Sequence, residues 1–259
     1  MPTRSRYGSN YLLLTTVISP PRDGKPRPNH YASAGLRLKS DAPAALDTIL
    51  TAYSSKGAHI PNARSDGGGE FDSGTMRTVL LKHKCTPTTS AHELHTDHAE
   101  KANRDMLELA RAANQCTAAS DNNWEDLAHY AAHSLSGRVL NNEDGHMAVF
   151  GEQRDGTTEY PWFCWVVIYD MMRDQRFRNN GTLARFLCPA STCGAGTIRA
   201  LVGNSVRQSA SHHYHAPPHV SEEDARALLV QRPPVPAPML PVPPAHLNFE
   251  PDDLRGGVL

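Results

Sequence analysis

The sequence contains no hydrophobic run long enough to cross a membrane. Its longest strongly apolar stretch covers residues 162–169, whereas a transmembrane helix needs about 20 apolar residues. The first ten residues, MPTRSRYGSN, are polar and the apolar run after them is short, which is unlike a secretory signal peptide. We therefore expect neither a membrane partner nor secretion.

Cysteine is scarce, and a phosphate-binding loop is missing. The five cysteines are odd in number and scattered along 259 residues, which argues against a disulfide framework and favours a reducing, intracellular compartment. The stretch GGGE at positions 67–70 lacks the lysine and the following helix of a P-loop. With 39% hydrophobic and 20% charged residues, the chain is otherwise typical of a globular protein with its own core.

Acidic residues are rare at the start of the chain, although the net charge of the whole is only −1. In the first forty residues, seven basic side chains are opposed by Asp23 alone. An excess of one sign over a short segment favours a polyanionic partner, and we predict that these residues bind RNA; the alternative is a solvated basic segment without a partner. The predicted nucleic-acid contacts are Arg4, Arg6, Arg22, Lys25, Arg27, Arg37 and Lys39.

Hydrophobic periodicity predicts a mixed α+β fold with a single core. Alternating or β-branched runs indicate strands over residues 11–19, 32–39, 75–84 and 145–151. Apolar stripes with capping residues indicate helices over residues 43–57, 90–114, 120–137, 198–206 and 221–230, and residues 162–177 fit either state. We divide the chain into a basic N-terminal arm with a first strand (1–40), an α+β core (41–216), and a short helix with a proline-rich tail (217–259).

The tail is unusually rich in proline and also apolar. Residues 231–246 read QRPPVPAPMLPVPPAH, a composition that favours extended polyproline II, which loses little entropy on docking. We predict that this segment clasps a neighbouring copy of the chain; the alternative is a ligand for an aromatic-lined adaptor domain. The predicted subunit contacts are Val235, Met239, Leu240 and Val242.

Cysteine and histidine recur together before the tail. Cys188 and Cys193 precede SHHYHAPPH at positions 211–219, and two thiolates with two imidazoles can complete a tetrahedral structural zinc site. The candidate ligands are Cys188, Cys193, His212 and His215. Since histidines beside Pro217 and Pro218 also suit a surface loop, that alternative stays open.

Cys164 lies in YPWFCWVVIYDMM, and its Cys-Trp pair resembles the nucleophile of papain-like cysteine proteases, including viral leader proteases. The resemblance implies Cys164 as nucleophile and His215, or its neighbour His213, as base, with the thiol pKa lowered at a helix N-terminus. The alternative is that a cysteine among aromatic residues is a small buried hydrophobe.

His98-Ala99-Glu100 resembles the His-x-Glu of zinc-dependent deaminases, in which the histidine binds zinc and the glutamate transfers protons. The second half of that signature departs from the family, because four residues separate Cys188 from Cys193. The alternative is a solvated helix face with i,i+4 ion pairs such as Glu100 with Arg104.

A basic segment, an α+β core and an apolar tail together favour a non-enzymatic, self-associating structural protein of the coat or assembly type that coats or packages RNA. This hypothesis requires no cofactor, although a structural zinc ion is compatible with it. The expected partners of the protein are RNA and other copies of the chain, and its expected localisation is the cytoplasm or a virion. The cysteine protease and the zinc deaminase are the enzymatic alternatives.

Overall fold

The computed structural model describes residues 4–65, 71–89, 97–117, 119–154, 156, 159–169, 181–190 and 196–231. These residues form an α+β fold with one globular core, as the sequence predicts. The described helices include none that is long and apolar enough to span a membrane. The proline-rich segment with Val235, Met239, Leu240 and Val242 lies outside the described residues.

The chain begins with an antiparallel hairpin of β1 (Tyr11–Val17) and β2 (His30–Leu36), in which Tyr11 pairs with Leu36 and Val17 with His30. The loop between the strands closes in a tight turn, where Arg22 and Lys25 exchange backbone hydrogen bonds. Asp23 and Gly24 have φ angles of 52° and 72°, as a turn with two left-handed central residues requires. Both predicted strands are confirmed.

Two helices and a small parallel sheet follow the hairpin. They are α1 (Ala42–Ser55), β3 (Asn62–Ser65), α2 (Gly74–Lys82) and β4 (Thr86–Thr89), with β3 paired to β4. The strand predicted over residues 75–84 is wrong, because this segment is α2. Ser73 accepts a hydrogen bond from the Met76 backbone N–H at its N-cap, and Met76 and Leu80, one turn apart, are buried in the same cluster. Burial of this i,i+4 pair outweighs the local strand preference.

Three more helices complete the helical part: α3 (Asp97–Gln115), α4 (Trp124–Ser136) and α5 (Gly145–Phe150). The first two are the predicted helices, although residues 90–96 at the predicted start of the first lie outside the described residues. They pack together through Met106, Ala128 and Leu135. The strand predicted over residues 145–151 is wrong. Asp144 caps α5 by accepting from the Met147 N–H at 2.7 Å, and Gly151 ends it with a φ of 73°, as left-handed C-terminal glycines do.

The C-terminal half is an antiparallel five-stranded sheet with the order β8-β7-β6-β5-β9. Its strands are β5 (Trp165–Tyr169), β6 (Gly181–Pro189), β7 (Ile198–Val202), β8 (Ser205–Ser209) and β9 (His212–Ala216). The helix predicted over residues 198–206 is wrong, because β7 and β8 form a hairpin that turns at Gly203 and Asn204. The alternative that the histidines lie in a surface loop is also wrong, because His212, His213 and His215 belong to β9, which pairs with β5. Of the ambiguous stretch, residues 165–169 are strand, while the rest lies largely outside the described residues.

The sheet has two covered faces. One face carries Cys164, Val166, Phe186 and Ile198, which pack in one cluster with Tyr130 of α4. The other carries Trp165, which packs with Ala216 and with Ala225 of α6 (Glu222–Gln231). The predicted cap of this last helix is confirmed, since Ser221 Oγ accepts from the Asp224 backbone N–H at 3.1 Å.

Candidate functional site

Five of the seven predicted RNA contacts are exposed, and they lie at opposite ends of the β1–β2 hairpin. Arg22 and Lys25 flank the turn at its tip. Arg4, Arg37 and Lys39 lie at the other end, beyond the pairing of Tyr11 with Leu36. At about 3.4 Å per residue, the seven-residue strands separate the two groups by about 20 Å.

The other two basic residues hold the hairpin to the rest of the fold. Arg27 donates from Nε and Nη2 to the Glu143 carboxylate at 2.8 and 2.6 Å, and from Nη2 to the Ala148 carbonyl at 2.8 Å. Arg6 donates to Asn123 Oδ1 and to the Asn204 carbonyl, both at 3.1 Å. The hydrogen bond from Arg27 lowers the pKa of Glu143. Charge engaged in this way is less available to a phosphate than the charge of Arg4, Arg22 and Lys25. Arg37 donates to the Tyr7 carbonyl at 3.4 Å, and the Lys39 ammonium lies 5.9 Å from the centre of the Tyr11 ring.

A buried ionic network, which the sequence analysis missed, anchors the segment before β1. Asp126 of α4 is fully buried, and both of its oxygens accept from the Tyr7 hydroxyl at 3.0 Å. Arg199 of β7 contacts the same carboxylate at 2.9 Å, with its guanidinium 4.7 Å from the centre of the Tyr7 ring. Burial raises the pKa of Asp126 to about 6, against the opposing influence of Arg199 and the Tyr7 hydrogen bond. The sequence did not reveal this network, because its hydrophobic periodicity does not distinguish Asp126 from the neighbouring Glu125.

The structure does not bring Cys188, His212 and His215 together. Cys188 is buried beside Asp126 and Arg199, and burial raises the pKa of its thiol to about 12. His212 and His215 are three residues apart on β9 and therefore point to opposite faces of the sheet. His212 contacts the Tyr160 hydroxyl at 3.0 Å, while His215 Nε2 donates to the Ala225 carbonyl at 2.7 Å.

Cys193 lies outside the described residues. Within the described part of the chain, no three His, Cys, Asp or Glu side chains form a group that could hold a metal ion. The zinc site therefore stays a prediction that no contact of Cys188, His212 or His215 supports.

The candidate protease residues are also apart. Cys164 is fully buried among the apolar side chains of its sheet face, and burial raises the pKa of its thiol to about 12. A thiol at that pKa holds very little thiolate at neutral pH. His215, which contacts α6 on the opposite face, is not placed to act as its base.

The deaminase-like triplet lies within α3, where Glu100 is exposed. The backbone of His98 belongs to the same helix. The cysteine nearest to the second half of that signature, Cys188, lies on β6 in the buried network already described.

The sequence matches no protein-family model and no curated protein. Among solved structures, a match is found with a chain in the cryo-EM structure of the simian T-cell lymphotropic virus intasome in complex with PP2A regulatory subunit B56 gamma, with a TM-score of 0.35 and 13% sequence identity. The match covers 74% of this chain and 66% of that chain. A likeness at this level carries no inference about function.

Proposed function

We propose that this protein is a non-enzymatic, self-associating structural protein of the coat or assembly type that coats RNA. The observation that supports the proposal best is the exposure of Arg4, Arg22, Lys25, Arg37 and Lys39 near the two ends of one hairpin. Because phosphate contacts supply most non-specific affinity for nucleic acid, exposed charge at both ends of a stiff element suits an extended polyanion.

The stiffness of the hairpin tip has a local cause. Pro20 and Pro21 precede the turn, and Pro26 and Pro28 follow it, so four φ angles near the tip are fixed by pyrrolidine rings. Arg22 and Lys25 therefore project from a loop that loses little backbone entropy when a phosphate binds.

The non-enzymatic part of the proposal is supported by the position of the candidate nucleophile Cys164, the candidate metal ligand Cys188 and the candidate base His215 in the core. Cys164 and Cys188 are both buried with raised thiol pKa values, and His215 is engaged in holding α6 to β9. These side chains serve packing and hydrogen bonding between elements.

The self-associating part of the proposal depends on the proline-rich segment. Within the described residues, β8 and β9 are the edges of the five-stranded sheet, and α6, which leads into that segment, packs beside β9. We propose that Val235, Met239, Leu240 and Val242 contact a neighbouring copy, with the prolines keeping the segment extended.

The RNA contact is tested by fluorescence anisotropy with a single-stranded RNA at increasing salt. The variant Arg22→Ser/Lys25→Ser should bind more weakly, and its salt slope should fall by about 1.4, because each phosphate neutralised on a single strand contributes about 0.7 to that slope. The matched control is Arg104→Ser/Arg111→Ser, which removes the same charge from exposed positions of α3. Equal losses of affinity in both variants would show that net charge, and not the hairpin, determines binding.

Self-association is tested separately by size-exclusion chromatography with light scattering. Replacing Val235, Met239, Leu240 and Val242 with serine in the full chain should convert large assemblies into small species, with an unchanged circular dichroism spectrum. If the assemblies persist while binding to an adaptor domain is lost, the clasp is wrong and the segment is an adaptor ligand.

A further inference from the structure

Three histidines from three different elements come together where α5 meets the hairpin and the last turn of α4, whose Ser136 Oγ accepts from the Tyr31 backbone N–H at 2.8 Å. His30 begins β2, His133 lies in the last turn of α4, and His146 lies in α5. The ring centres of His30 and His146 are 6.0 Å apart, and both rings contact Phe150, with centroid distances of 5.2 and 4.6 Å. No local motif marks any of these residues, because they are far apart in the chain.

The cluster is short of hydrogen-bond acceptors that could stabilise a positive charge. His30 Nδ1 lies 2.7 Å from the Tyr53 hydroxyl. Within the described residues, His133 Nε2 is buried without a hydrogen-bond partner, as is Arg154 Nε. A buried imidazole without an acceptor carries a proton only at high cost.

Positive charge already surrounds the histidines. Lys56 lies over the Phe150 ring at 5.1 Å, and Arg154 donates to the His133 carbonyl at 2.7 Å. The opposing carboxylates are less favourably placed: Glu152 is 3.6 Å from His146 and its side chain is 65% exposed, while Glu159 pairs with Arg154. The ionisable groups that face the cluster are Tyr53 within α1, Lys56 just after it, Asp144 at the start of α5, and Glu152, Arg154 and Glu159 beyond α5.

We propose that His30, His133 and His146 form an acid-sensitive latch that holds α5 and the start of β2 against α1 and α4 while they are neutral, and releases them on protonation. The proposal does not rest on the proposed RNA-coating function. It rests on the convergence of three histidines beside two cations, and the pKa values agree with it. Burial is the largest cause in each case: it lowers the pKa of His30 and of His133 to about 3, and it also lowers that of His146.

The direction of the pH effect follows from the difference in histidine pKa between the closed and open states of the latch. A released histidine has a pKa of about 6.5, so the open state takes up protons at a higher pH than the closed state does. The latch is therefore closed above about pH 6.5 and is progressively weakened as the pH falls below that value. Between pH 7.5 and 5.5 the opening equilibrium should rise about tenfold per histidine, or about 100-fold for His30 and His133 together.

Release of α5 has a consequence for the hairpin loop. The Ala148 carbonyl of α5 accepts from Arg27, which also pairs with Glu143 just before this helix. Opening of the latch therefore removes one of the bonds that hold the loop carrying Arg22 and Lys25. In this way a change of pH is coupled to the freedom of the basic hairpin tip.

The latch is tested by hydrogen exchange of the full chain at pH 7.5 and 5.5, corrected for the intrinsic effect of pH on exchange. Residues 145–150 should open about 100-fold more at the lower pH, whereas residues 198–202 of β7 should not share that increase. The variant His30→Asn/His133→Asn should remove most of the difference. The control His83→Asn alters a histidine bound to Asp47 on α1 at 2.7 Å and should leave the difference intact.

Two further variants keep the test decisive if the double variant does not fold. His146→Gln, near the edge of the cluster, should reduce the pH response of α5. Gly145→Ala should open α5 at both pH values, because a Cβ there would collide with the carbonyls of Asn29 and Ser136. An equal pH response in α5 and β7, or an unchanged response in the histidine variants, would overturn the latch.

Discussion

Replacing Asp126 with alanine should destabilise the fold by about 3–5 kcal/mol, the usual cost of removing one partner from a buried ion pair. Asp126 is fully buried, with the Tyr7 hydroxyl at 3.0 Å and Arg199 at 2.9 Å. The substitution leaves the Arg199 guanidinium, whose side chain is 18% exposed, without its carboxylate. It also removes the acceptor that holds Tyr7, and with it the segment before β1.

The conservative variant Asp126→Asn separates the contribution of the charge to stability from that of the side-chain shape. Asp126→Asn keeps an acceptor for Tyr7 and avoids burying a carboxylate, whose desolvation raises its pKa to about 6, so it should cost less than Asp126→Ala. Tyr7→Phe should cost about 1.5–3 kcal/mol, as for a hydrogen bond to a charged group. A double-mutant cycle between Tyr7→Phe and Asp126→Asn should give a coupling of about 0.5 kcal/mol or more.

The assay is urea unfolding at pH 7, followed by circular dichroism and tryptophan fluorescence. The matched control is Asp47→Ala, which removes a carboxylate that is 32% exposed and is bound to Lys82 at 2.8 Å and to His83 at 2.7 Å. Because this carboxylate is partly exposed to solvent, its ion pairs should contribute about 1 kcal/mol or less. If Asp126→Ala costs no more than Asp47→Ala, the buried network of Asp126, Tyr7 and Arg199 does not stabilise the fold.

Three further predictions concern the thiols, pH and zinc. Cys164→Ala should lower the free energy of unfolding by about 1 kcal/mol through reduced packing. In the native protein, iodoacetamide should label the exposed Cys116 long before Cys164. Rapid labelling of Cys164 would restore the protease hypothesis. Because the folded pKa of Asp126 is raised to about 6, its protonation adds about 1 kcal/mol of stability between pH 7 and 5. Asp126→Asn should therefore lose more stability than the wild type as the pH falls from 7 to 5. Equal losses would contradict the raised pKa of Asp126. Metal analysis decides the zinc site, since about one equivalent of zinc would support Cys188, Cys193, His212 and His215 as ligands, and its absence from the purified protein would refute them.

The elements that the sequence predicted correctly are those in which local signals and burial agree. In α1, the apolar residues recur at helical spacing, and Pro43 lies in the first turn. In α4, Ala128, Ala131 and Leu135 form one buried stripe. The β1 strand is bounded by polar and proline residues, and its partner β2 follows after a turn. Such patterns predict an element without reference to the rest of the chain.

The elements that the sequence predicted wrongly are those in which the local signal was weak or opposed by packing. The segment that forms α2 contains strand-forming residues, but Met76 and Leu80 are buried only if it is helical. The segment that forms β7 and β8 has helical spacing, yet its Ile198 and Ala200 complete the face that carries Cys164. The histidine-rich β9 is a strand because β5 offers it an unpaired edge.

The sequence by itself determined the fold class, most helices and the concentration of basic residues near the N-terminus. Only the tertiary structure decided which of those residues are exposed, which cysteines are buried, and which histidines meet. The reason is physical: periodicity reports which face of an element is apolar, whereas charge availability, thiol pKa and clustering depend on contacts between residues far apart in the chain. Asp126 with Arg199, and His30 with His146, exist as pairs only after the core has formed.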